Sequence, residues 1–124
     1  MPTLDGSISD FVQGDTLDIK RNITNLSGVG TIAEAWLSVK QYATDVANIF
    51  QKHITITPST DGEITDTGGS GTGIVVFHLS AADTSLLLDQ VKYVYDIQVK
   101  MSGQGIYTPE RGVIVTSGQI TTAS

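Results

Sequence analysis

The 124-residue chain has no cysteine, which excludes disulfide bridges and thiolate metal sites. A secreted domain of this size can do without disulfides, so their absence leaves the compartment open. Cations are scarce as well: 7 Lys and Arg stand against 13 Asp and Glu, for a net charge of −6. A phosphate-binding surface needs clustered Lys and Arg to release counterions. The only adjacent basic pair, Lys20-Arg21, is split between two faces by strand alternation, which argues against a nucleic-acid partner. No apolar run approaches the about 20 residues of a membrane span. The opening MPTLDGSISD is too acidic and polar for a signal peptide.

Helix formers are also sparse, while Thr, Ile, Val and Gly are abundant. With a hydrophobic fraction of 40%, that composition points to one all-β domain with a proper core. The clearest element is Val91–Met101. Val91, Tyr93, Tyr95, Ile97, Val99 and Met101 fall on one parity; Lys92, Val94, Asp96, Gln98 and Lys100 fall on the other. Such alternation predicts a strand with one buried and one wet face. Similar patterns predict strands over Thr16–Ile23, Ile32–Gln41, Ile49–Thr57 and Gly73–Leu79. Ser7–Val12 and Glu63–Thr65 are shorter candidates, and Ile106–Thr108 with Gly112–Thr116 would form the last, returning strand, Pro109 and Gly112 in its middle suggesting an edge or a bulge. Ser80 is a good N-cap for a helical turn over Ala81–Leu87, with Asp83 in the place of the capping-box carboxylate. Two inward-parity charges break the pattern, Arg21 and Lys52. Arg21 is expected near a strand end, its stem lying along apolar surface.

Seven or eight short strands at this spacing predict an antiparallel β-sandwich over residues 1–124 with one short helical turn. The expected core is Leu17, Ile19, Leu37, Val39, Val75, Phe77, Leu79, Tyr93, Tyr95, Ile97 and Val99. Met1–Gly6 and Ser117–Ser124 are polar and lie outside the pattern, so they read as an N-terminal arm and a C-terminal tail.

No constellation carries chemistry. Asp66–Gly73, DTGGSGTG, lacks the terminal Lys-Ser/Thr and the following helix of a phosphate-binding loop. His53 and His78 lie on different expected strands, and a zinc site needs a third ligand. Asp61, Glu63 and Asp66 have the wrong spacing for a calcium loop. There is no G-x-S-x-G elbow for a nucleophilic serine. The expectation is therefore a protein that is not an enzyme, with no cofactor and no metal.

Trp36, the single tryptophan, shares parity with Glu34, Ser38 and Lys40 rather than with Ala35, Leu37 and Val39. A large ring on a polar strand face has to be covered. Either a neighbouring strand of the same chain covers it or another subunit does. Ile74 and Val76, apolar on an outer parity, join Trp36 as interface candidates if the strands share a sheet.

The runs GIVVFHLSAADT (Gly73–Thr84), YVYDIQ (Tyr93–Gln98) and the G-x-Y-T-P spacing from Gly105, with Gly14-Asp15-Thr16 before a strand, resemble small tailed-phage virion domains. The nearest are the N-terminal domain of the baseplate upper protein and related immunoglobulin-like modules. The resemblance covers roughly Gly14–Thr121. It implies an immunoglobulin-like β-sandwich that joins one virion component to another without catalysis. It also implies a protein made in the host bacterial cytoplasm and carried in the virion. Ending soon after the sandwich, with no receptor-binding or coiled-coil extension, favours a decoration or neck accessory. Its partners would be capsid, neck or tail subunits and further copies of itself. The alternatives are a baseplate or tail adaptor, or a carbohydrate- or receptor-binding module on the same scaffold. Glycan sites gather aromatics near loops, and neither TNLSGVGT nor DTGGSGTG contains one.

Overall fold

The computed structural model describes residues 14–24, 26, 30–42, 44–45, 47–69, 71–87, 91–102 and 105–115, and the backbone of 4–8. In chain order the elements are β1 (Leu4–Ile8), β2 (Leu17–Ile23), β3 (Ile32–Lys40), β4 (Phe50–Thr55), β5 (Gly62–Asp66), β6 (Gly73–Leu79), α1 (Ala81–Thr84), β7 (Lys92–Met101) and β8 (Gly105–Val115). They form a five-stranded sheet, β1-β8-β7-β3-β4, and a three-stranded sheet, β2-β6-β5. In immunoglobulin terms β2-β6-β5 correspond to B-E-D, and β4-β3-β7-β8 to C′-C-F-G. The fold is an all-β immunoglobulin-like sandwich with one short helical turn.

The alternating rows make the core. Ile19 and Ile23 of β2, Val75, Phe77 and Leu79 of β6, and Ile64 of β5 are buried on one side. Ala35, Leu37 and Val39 of β3, Tyr93 to Met101 on alternate positions of β7, and Ile114 of β8 are buried on the other. Every expected core residue is buried except Leu17, which is half-buried and packs against the cluster. Immunoglobulin domains bury a tryptophan on strand C. Here the inner row of β3 is aliphatic and Trp36 lies on the opposite parity.

One edge of the pattern differs from expectation. Leu4–Gly6, expected in an arm, belong to β1, which pairs in parallel with β8 from Leu4↔Glu110 to Ile8↔Ile114. The expected strand Ser7–Val12 therefore starts earlier; its residues 9–12 lie outside the described residues, as does the tail Ser117–Ser124. The last strand carries the bulge that Pro109 suggests. β8 is continuous, and Ile97↔Glu110 is followed by Val99↔Tyr107. Two residues, Thr108 and Pro109, thus face Gln98 alone, a bulge that absorbs the residue lacking an N–H.

The capping box at α1 is present: Ser80 Oγ accepts from Asp83 N at 3.2 Å, and the Asp83 carboxylate accepts from Ser80 N at 2.8 Å. Thr84, fully buried, ties this turn to the start of β2. Its Oγ1 accepts from Gly14 N at 3.0 Å and donates to Asp15 O at 2.6 Å. The two long loops also dock on each other. Leu26, 1% exposed, donates its N–H to Gly71 O at 3.0 Å and lies over Gly68.

Arg21 does not run out along the surface. Its guanidinium turns between the sheets and meets Glu110 of β8, Nε lying 3.0 and 3.1 Å from the two carboxylate oxygens. The Tyr95 hydroxyl donates to the same carboxylate. Burial opposes the Arg21 charge, but the Glu110 hydrogen bond and charge outweigh it and raise its pKa. Burial and the hydrogen bond to Glu110 raise the Tyr95 phenol well above its ordinary 10.0. A raised phenol contributes stability in full below its unfolded pKa and loses it as pH climbs through the folded value. Urea unfolding against pH should therefore show a decline above about pH 10 that is shallower in Tyr95→Phe. Glu110→Gln should lose about 1.5–3 kcal/mol at neutral pH, because it unpairs a charged hydrogen bond between the sheets.

Candidate functional site

The outer face of the five-stranded sheet carries the least ordinary surface among the described residues. Register places Trp36 between Gln98 of β7 and His53 of β4. The indole and imidazole rings stack at 5.2 Å with planes 11° apart. His53 Nε2 lies 2.9 Å from Glu34 Oε1, and Lys100 Nζ lies 3.7 Å from Glu34 Oε2. On the next row Gln51 Nε2 donates to Ser38 Oγ at 2.9 Å, and Lys40 Nζ donates to Asp45 O at 2.8 Å. Glu34, Trp36 and Ser38 are thus braced by neighbours on the pleated surface, and Lys40 by the segment that follows β3. Trp36 is covered on one side by its own chain and remains only half-buried. Towards the far end of the face Val94 pairs with Val113, and Lys92 with Val115. Asp96, between Ser38 and Arg111, has its pKa raised by burial, with the Lys40 charge pulling the other way.

The three interface candidates do not form one patch. Trp36 is on β3 of the five-stranded sheet, whereas Ile74 and Val76 are on β6 of the three-stranded sheet. They occupy opposite outer faces of the sandwich, so the expected support of Ile74 and Val76 for Trp36 falls away. Parity assigns a residue to a face of its strand, and strand order decides which sheet that face belongs to.

Lys52 was an unexplained charge on an inward parity. Its Nζ lies 2.6 Å from Asp83 Oδ2 and 3.7 Å from Asp61 Oδ1, so it joins β4 to the cap of α1. It lines a cleft of 440 Å³ together with Asp18, Asp61, His78 and Ser80. The groups in this cleft are already paired with one another: His78 Nδ1 lies 2.8 Å from Asp18 Oδ1, and Ser80 Oγ serves the cap. Among the described residues that line it, no nucleophile is held beside an idle base. Among the described residues no three His, Cys, Asp or Glu side chains group in a way that would hold a metal ion. No helix among them is long and apolar enough to cross a membrane.

Burial opposes ionisation of Asp83, but the hydrogen bonds from Lys52 and Ser80 prevail and hold its pKa below the ordinary 3.8. A lowered carboxylate contributes stability above its unfolded pKa and loses it as pH falls through the folded value. Asp83→Asn should cost about 1 kcal/mol at pH 7. The gap to the unmodified protein should close as the pH drops below 3.8, measured by chemical unfolding.

No family model matches the chain, and no curated protein matches it. Among solved structures one likeness is to the extracellular domains of the voltage-gated sodium channel beta4 subunit, described as parallel homodimers with a role in cell–cell adhesion. It has 7% identity, covers 94% of this chain and 93% of that one, and has a TM-score of 0.37. The immunoglobulin-like assignment rests instead on strand order and register: B-E-D facing C′-C-F-G, with a bulged last strand.

Proposed function

We propose that this chain is a non-enzymatic structural protein of a tailed-phage particle. In this reading it is one sandwich domain, attached to the capsid or neck through protein–protein contacts. The observation that carries the proposal is Trp36: a lone tryptophan, half-buried, on an outer sheet face, held in place by His53. Tryptophan is enriched at interface hot spots, and a ring already fixed by stacking loses little freedom on binding. The virion setting is supported by the sequence runs from Gly73 to Thr84 and from Tyr93 to Gln98.

Replacing Trp36 by Ala tests the reading. Stability of the isolated domain should fall by about 1 kcal/mol, the scale of a lost ring stack. Incorporation into particles should weaken by about 2 kcal/mol or more. Wild-type occupancy in purified particles would overturn the proposal. Retention on a glycan column that Trp36→Ala abolishes would favour the carbohydrate-binding alternative instead.

A further inference from the structure

The two outer faces of the sandwich differ in charge. The described outward side chains of the five-stranded sheet include Lys40, Lys92, Lys100 and Arg111 against Glu34 and Asp96, and the register of β1 sets one further acid, Asp5, opposite Arg111, so cations still outnumber acids. Four of the chain's 7 cations thus lie on one face of a molecule whose net charge is −6. Across the three-stranded sheet the outward residues include Asp18, Glu63 and Asp66 against Lys20. Each face also has an apolar centre. Trp36, Val94 and Val113 lie on the cationic side. On the acidic side Val76 sits between Lys20 and Glu63, and Ile74 between Asn22 and Asp66.

We propose that the cationic Trp36 face docks on the acidic Ile74–Val76 face of a second copy of this chain. This inference rests on the reading of the five-stranded face as a contact surface and adds its partner. Face-to-face pairing of two Trp36 surfaces would oppose two faces that each carry a cationic excess, which is unfavourable. Front-to-back pairing opposes unlike charges and gives Trp36 an aliphatic seat. Such a contact is heterologous. Each copy uses two different surfaces and leaves one of each open, so association proceeds past the dimer to a ring or a row.

Sedimentation velocity of the full chain over rising concentration tests this. The expected result is species larger than dimers, weakened as salt rises and shortens the screening length from about 10 Å towards 3 Å. Two charge-reversed proteins sharpen it: Lys92→Glu with Lys100→Glu on one face, and Asp18→Lys with Glu63→Lys on the other. Each alone should self-associate about tenfold or more weakly, and an equimolar mixture should recover association. Recovery also shows that both proteins are folded. If either loses its thermal transition, the neutral sets Lys92→Gln with Lys100→Gln and Asp18→Asn with Glu63→Gln replace them, with weakened association again expected. A wild-type chain that stays monomeric throughout overturns the inference. So does undiminished association of the Asp18→Lys, Glu63→Lys protein, which would mean that the acidic face is not used. If Trp36 is nevertheless protected in the particle, the contact-face reading survives with a different partner. If Trp36 is exposed there, both fall.

Discussion

Replacing Phe77 by alanine is expected to cost about 3–5 kcal/mol of unfolding free energy, the scale of emptying a buried aromatic site. Phe77 is fully buried at the middle of β6, the central strand of the three-stranded sheet, paired with Ile19 on one side and Gly62 on the other. The neighbours are strand residues held by their ladders, so the space does not close by local movement. Urea unfolding at pH 7 measures the effect. A loss below about 1 kcal/mol would mean that the β6 inner row does not form the core as described.

Gly62→Ala should be of similar size for a different reason. Gly62 has φ +135°, and a Cβ added there would lie 2.0 Å from the Val76 carbonyl oxygen. A left-handed backbone strains any L side chain by about 1–3 kcal/mol. The close approach is to backbone, so the new methyl cannot be accommodated by a rotamer change. β5 has to move off β6, losing ladder hydrogen bonds worth about 1 kcal/mol each. The expected total is about 3 kcal/mol or more, with faster amide exchange along Gly62–Asp66. Slow exchange there and a loss under about 1 kcal/mol would show that β5 does not pair in this register.

The sandwich was legible because its strands alternate cleanly. Gly73–Leu79 matches β6 residue for residue, and Val91–Met101 matches β7 to within one residue. The capping box was legible because Ser80 and Asp83 are local. What was not legible depends on distant pairing. The parallel contact of Leu4–Ile8 with β8 joins residues more than 100 positions apart, and nothing in LDGSI announces it. Arg21 and Lys52 stood out as charges on apolar parities. Their partners are Glu110, 89 positions away from Arg21, and Asp83, which a β4 pattern does not reveal. Trp36 was placed on the correct parity, but linking it to Ile74 and Val76 required knowing the strand order. The bulge at Pro109 was legible because a residue without an N–H in mid-strand calls for an edge or a bulge, and it lies opposite Gln98.

The claim that the outer face of the five-stranded sheet is a contact surface is tested most directly by acrylamide quenching of Trp36 fluorescence, compared between the isolated chain and the purified particle. Trp36 is the only tryptophan, so in the isolated chain the signal is unambiguous, and in the particle difference spectra against Trp36→Ala isolate it. The account predicts clear quenching in the isolated chain at concentrations dilute enough to keep it monomeric, limited by the half-cover that His53 gives, and strong protection once assembled. Equal quenching in the two states would contradict it and leave Trp36 an ordinary surface residue.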